Sequence, residues 1–263
     1  MSCLLSSFSL VMLVVFAVLE PNPSTAIIGG KKSDITKEPW AVGVLVDEKP
    51  FCGGSILTAN FVITAAQCVD GTKPSDISIH YGSSYRTTKG TSVMAKKIYI
   101  VRYHPLTMQN NYAVIETEMP IKLDDKTTKK IELPSLLYDP EPDTSVLVSG
   151  WGSTNFKSLE YSGDLMEANF TVVDRKSCEE QYKQIEADKY IYDGVFCAGG
   201  EYDETYIGYG DAGDPAVQNG TLVGVASYIS SMPSEFPSVF LRVGYYVLDI
   251  KDIISGKVKP QEY

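Results

Sequence analysis

The chain has 263 residues, 44% of them hydrophobic, and a formal net charge of -10 at pH 7. That apolar fraction supplies a substantial core, so disorder is excluded, and the length suits one or two compact units. The negative balance opposes both the phosphate backbone of nucleic acid and an anionic membrane surface, and no basic run offsets it, so neither is expected as a partner.

Residues 8–19 (FSLVMLVVFAVL) form an unbroken apolar run, too short for a membrane-spanning helix, which needs about 18 residues or more. The run reads as the core of a signal peptide, although residues 1–7 ahead of it carry no Lys or Arg. Ser24 and Ala26 are small residues at the positions a signal peptidase reads, which makes 1–26 the signal and Ile27 the first residue of a secreted, extracellular protein. Five cysteines are present, and Cys3 lies in the signal segment. The remaining even set points to disulfides. Four cysteines allow three connectivities, but Cys52/Cys68 and Cys178/Cys197 are two local pairs, each worth about 3 kcal/mol in the chain-entropy model. No CxxC or His-rich spacing occurs, so neither a metal nor another cofactor is expected.

Beyond Ile27, short strand-like runs at 41–46, 77–81, 97–102, 146–149, 170–173, 222–228 and 238–243 are separated by turn residues. This spacing predicts an all-β sandwich or barrel. Asn219-Gly220 between two apolar runs is a hairpin signal, because both turn positions favour positive φ. Val247, Ile250, Ile253 and Ile254 recur at helical spacing and Gly256 follows as a stop, which predicts one terminal helix packed on the β body. The acidic, Pro-rich stretch 138–143 (YDPEPD) reads as the connection between two halves, 27–137 and 138–263. His80 and His104, the only histidines, are expected on the surface or in loops.

Five separated motifs carry a family resemblance: Ile27-Ile28-Gly29-Gly30, Phe51-Cys52-Gly53-Gly54-Ser55, Thr64-Ala65-Ala66-Gln67-Cys68, Ser149-Gly150-Trp151-Gly152, and Gly210-Asp211-Ala212-Gly213-Asp214-Pro215. In this order and spacing they resemble the trypsin-like serine proteases over essentially the whole chain from Ile27 to the terminal helix. The resemblance is closest to the mite group 3 allergens, and hence to the proteolytically inactive paralogues described in the scabies mite. It implies two packed six-stranded antiparallel β-barrels with a C-terminal helix, together one peptidase-like domain with a cleft between the barrels.

The family's chemistry needs a nucleophilic Ser, a His to take its proton and an Asp to orient that His. At the matching positions stand Gln67, whose amide does not titrate near neutrality, Asn111, which is uncharged, and Ala212, which has no lone pair to attack a carbonyl. Loss of the nucleophile alone removes on the order of a million-fold in rate. The resemblance also places Tyr206 at the bottom of the specificity pocket, with Ile229 and Ser238 in its walls, so the pocket is expected to be blocked. Gly208 and the region of Met232 lack the cysteines that brace this part of the family fold, which implies remodelling there.

Asp211 matches the residue that pairs with a freed α-amino terminus in active members, and Ile27 matches that terminus. Ala26 is no tryptic site, so signal removal itself would generate the terminus. Asp214 replaces a Gly of the family, and is expected to add bulk and negative charge that turn or screen the loop amides. Asn169-Phe170-Thr171 and Asn219-Gly220-Thr221 are glycosylation sequons. These features predict a monomeric pseudoprotease rather than an enzyme, acting by binding. The resemblance to inactive mite paralogues implies host defence proteins, complement components among them, as partners. The competing readings are a relic without a partner and a hydrolase with an unrecognised nucleophile.

Overall fold

The computed structural model describes residues 27–153, 161–200, 204–228 and 235–261. Thirteen strands and two α-helices are defined among them. The first barrel is built from β2 (Ala41–Val46), β3 (Lys49–Thr58), β4 (Phe61–Thr64), β5 (Ile77–Tyr81), β6 (Thr91–Ile100) and β7 (Ala113–Thr117), closed in the order β2-β3-β4-β7-β6-β5. The second uses β8 (Ser145–Gly150), β9 (Met166–Val173), β10 (Val195–Ala198), β11 (Pro215–Gln218), β12 (Thr221–Tyr228) and β13 (Ser238–Arg242). A β8–β9 pairing closes this second ring, and β1 (Lys31–Lys32) adds to its β9 edge. All pairings between named strands are antiparallel, and closure removes the exposed edges that an open sheet would leave.

Each barrel is filled by its own inward-facing residues. Val42, Ile56, Ile79, Ile98 and Ile115 pack in the first, and Val148, Phe170, Phe196, Val223 and Phe240 in the second. A third core joins the barrels: Ile63, Tyr112 and Val114 meet Val225 and Leu241 together with Tyr246 and Ile250 of the C-terminal helix α2 (Val243–Ile254). The ends of the chain tie the halves together, since β1 pairs with the second barrel while Gln261 N–H donates to Ile98 O of the first, at 2.9 Å.

Several expectations are refined by the structure. The Asn219-Gly220 turn lies between β11 and β12 with φ of 51° and 74°, as a two-residue hairpin turn of this type requires. The run at 97–102 belongs to the longer β6, and Val243 starts the helix rather than ending a strand. A second helix, α1 (Arg175–Lys183), was not expected. It has only Cys178 and Tyr182 buried, and it is started by Asp174, whose side chain accepts the Ser177 N–H. The Cys52–Cys68 and Cys178–Cys197 disulfides are both formed. His80 departs from expectation. It is 6% exposed in β5, with Nδ1 3.1 Å from Ser92 Oγ and Nε2 buried without a partner among the described residues, and burial lowers its pKa. His104 is exposed, as expected.

Candidate functional site

Gln67, Asn111 and Ala212, the positions that the resemblance matches to a catalytic triad, meet where the barrels face each other. Gln67 sits in a 3₁₀ turn directly after β4, and the Cys52–Cys68 disulfide fixes that turn to β3. Asn111 precedes β7, and the pairing of Thr64 with Ala113 sets Gln67 and Asn111 side by side. Ala212 precedes β11, and its carbonyl accepts Gly53 N–H at 2.9 Å, which anchors the second-barrel loop to the first barrel. Asn111 is fully buried and both ends of its amide are used. Its Oδ1 accepts the Gln67 backbone N–H at 3.0 Å. Its Nδ2 donates to Ser227 Oγ at 2.9 Å and to Gln67 Oε1 at 3.3 Å. Gln67 Nε2 donates in turn to Ser227 O at 3.1 Å. Ser227, which the sequence did not single out for this role, is thus the hub of a neutral network. None of the three side chains can accept and release a proton near neutral pH.

A family model described as Trypsin matches residues 27–250. The chain belongs to the trypsin family. It is 32% identical to Trypsin Blo t 3 of Blomia tropicalis over 231 residues, covering 86% of this chain and 85% of that protein. It is 30% identical to Trypsin Tyr p 3.0101 of Tyrophagus putrescentiae over 230 residues, covering 84% and 78%. Among solved structures, it is 99% identical to the scabies mite inactivated protease paralogue S-D1, with a TM-score of 0.87 over 89% of this chain and 100% of that one. The scabies mite inactivated protease paralogue S-I1 is 39% identical, with a TM-score of 0.77 over 87% and 99%.

Beside the altered triad lies a cleft of about 360 Å³ whose lining includes Phe51, Gln67, Tyr161, Tyr209, Ala212 and Tyr228. Ile207, Gly208, Gly210 and Ser227 also line its second-barrel side. Tyr206 is 7% exposed and exchanges two 3.0 Å backbone hydrogen bonds with Ile28. Ser238 is buried and its Oγ accepts Ile207 N–H at 3.1 Å. Both are buried, and neither is among the residues that line the cleft. Ile229 and Met232 lie outside the described residues. Tyr228, on the wall, stacks on Tyr190 with centroids 4.2 Å apart.

The loop carrying Ala212 is held by two buried acids. Asp211 is fully buried, accepting Gly152 N–H at 2.9 Å and Gly208 N–H at 2.7 Å. Burial pushes its pKa up to about 6 against the pull of those donors and of Arg86. Asp214 is 1% exposed; burial, and then the neighbouring Asp211 charge, raise its pKa well above the ordinary carboxylate range. The Asp214 carboxyl thus turns inward between Gly53 and Gly150 instead of lying beside the loop, and burial and the Asp211 charge favour its protonated form. Ile27 is fully buried in the second-barrel core, in the same cluster as Ile207 at the start of this loop.

A second acid pair escaped the sequence reading. Glu38, 1% exposed, and Glu167, 6% exposed, each lie 2.7 Å from Ser33 Oγ. Burial raises the Glu38 pKa to about 7, whereas hydrogen bonds and the nearby Lys37 and Lys31 keep Glu167 low. Of the two sequon asparagines, Asn219 is exposed at the hairpin tip, and Asn169 is exposed within β9 opposite Leu147.

Proposed function

We propose that this trypsin-family chain is a secreted pseudoprotease that does not cleave peptide bonds and acts by binding proteins. The observation that carries the reading is the closed amide network of Gln67, Asn111 and Ser227 beside the methyl group of Ala212. It supplies neither a base nor a nucleophile, yet it is fully hydrogen-bonded and integrated into the fold. The names of the two inactivated mite paralogues support the loss of proteolysis. A specificity pocket closed by Tyr206, which is buried beside the cleft-lining Ile207, is part of the proposal. Partners are host defence proteins, complement components first, met by an extracellular monomer carrying N-glycans at Asn219 and Asn169. Binding of purified complement recognition proteins to the immobilised mature chain, read by surface plasmon resonance, tests the partner. No saturable binding to any of them would remove complement from the proposal and leave only the loss of proteolysis.

A further inference from the structure

Loop 208–215 closes on its two acids from within the chain. Asp211 accepts Gly152 N–H and Gly208 N–H through its two oxygens, and Asp214 N–H donates to Asp211 O at 3.0 Å. The Asp214 carboxyl stands between Gly53 of β3 and Gly150 of β8, one strand from each barrel, with its Oδ2 buried and without a hydrogen-bond partner among the described residues. A Cβ at Gly53 would overlap Asp214 Oδ1, and one at Gly150 would overlap Oδ2, so the two glycines form a slot that admits this carboxyl. Beside the slot, the Arg86 guanidinium lies 3.9 Å from the Tyr161 ring centroid and donates to Pro50 O at 3.2 Å. Arg86 and Asp214 line the same small cavity with Trp151. Two backbone N–H donors thus occupy the Asp211 oxygens, with Asp214 and Arg86 nearby, without any contribution from the amine of Ile27. A buried carboxylate that lacked such partners would be strongly destabilising.

We propose that Asp214 is an internal lock, whose carboxyl, slotted between the two barrels beside Asp211, keeps loop 208–215 ordered whether or not the chain ahead of Ile27 has been removed. The lock makes the cleft surface independent of N-terminal processing, so a binding protein built on this scaffold has its final shape as soon as it folds. In the alternative arrangement, a freed Ile27 amine does the same work.

The test is hydrogen exchange by mass spectrometry on segment 204–215. It compares the chain beginning at Ile27 with the same chain retaining residues 24–26, which tie up the amine in a peptide bond. With Asp214 present, the two forms exchange within about threefold of each other, a difference well under that of a lost local opening barrier. In Asp214→Gly, the extended form exchanges at least about tenfold faster than the form with the free terminus, because the slot between the barrels is then empty and only a freed amine can take over the anchoring of the loop. Asp214→Asn behaves as the native chain, since its amide donates without needing a proton. Exchange about tenfold faster in the extended native chain than in the free one would overturn the proposal. So would an extended Asp214→Gly chain that keeps native protection. If Asp214→Gly does not fold, the native pair and the Asp214→Asn pair still decide, because a response to the extension in the native chain alone refutes the lock.

Discussion

The altered triad and the acid-bearing loop beside it are both buried polar clusters at the junction of the barrels, and they solve the cost of burial in opposite ways. Around Asn111 every group is neutral, and donors match acceptors, so the network needs no proton and no counter-charge. Around Asp211 there are two acids, one of which must hold a proton, and the nearby Arg86 balances the other. The first solution replaced chemistry with hydrogen bonding. The second added an acid beside the position where the family places a structural ion pair. A buried amide network is insensitive to pH, whereas a diacid is not.

The contrast breaks most visibly at Asp211. Asp211→Ala leaves the buried Gly152 and Gly208 N–H groups without acceptors and strands Asp214 and Arg86, a loss of about 3 kcal/mol or more. Thermal unfolding followed by circular dichroism should show Tm lowered by roughly 6–12 °C. A smaller loss follows from putting charge into the neutral network. Asn111→Asp removes the donor to Ser227 Oγ and sets a buried carboxylate against Gln67 Oε1, costing about 2 kcal/mol in a denaturant titration. Asn111→Asp with Gln67→His regains part of that loss, because the imidazole supplies the missing donor.

The pH response sharpens the comparison further. Asp211, Asp214 and Glu38 all have folded pKa values raised above those of the unfolded chain, where carboxyls titrate near 4. For such groups the folded state holds protons that the unfolded chain has released. Their contribution is present in full below about pH 4 and is lost as pH rises toward 7. Tm should therefore fall between about pH 4 and pH 7, and both Asp214→Asn and Glu38→Gln should flatten that fall. His80 opposes the trend over part of the range, since its lowered pKa favours folding above about 6.5. Asn111→Asp must add slope of its own, because the native amide contributes none.

Much of this was legible in the sequence for definite reasons. The three triad substitutions, the two local cysteine pairs and the Asn219-Gly220 turn are each carried by short stretches of chain. The terminal helix was legible because Val247, Ile250 and Ile253 repeat on one buried face. By contrast, β3 was not read as a strand, since Gly53 and Gly54 interrupt the apolar alternation in the segment that the barrel closure buries. Helix α1 was missed because RKSCEEQYK offers only two buried side chains at i and i+4. Ser227, Arg86 and the inward turn of Asp214 depend on contacts such as those of Gln67 with Ser227 and Arg86 with Pro50, 160 and 36 residues apart, which no local pattern encodes. The two glycines that admit Asp214 were visible, but their role appears only when β3 and β8 are brought together.

Proteolysis is lost, on this account, through the network as a whole and not through one atom. The measurement that bears on it most closely is turnover of fluorogenic peptide substrates by Ala212→Ser, alongside labelling by a serine-directed fluorophosphonate. The restored hydroxyl has Gln67 beside it in place of a base, so the account predicts no hydrolysis above the native chain and no labelling, with stability unchanged within about 0.5 kcal/mol. Measurable peptide cleavage by this single variant, at a rate that tracks active-site labelling, would contradict the account.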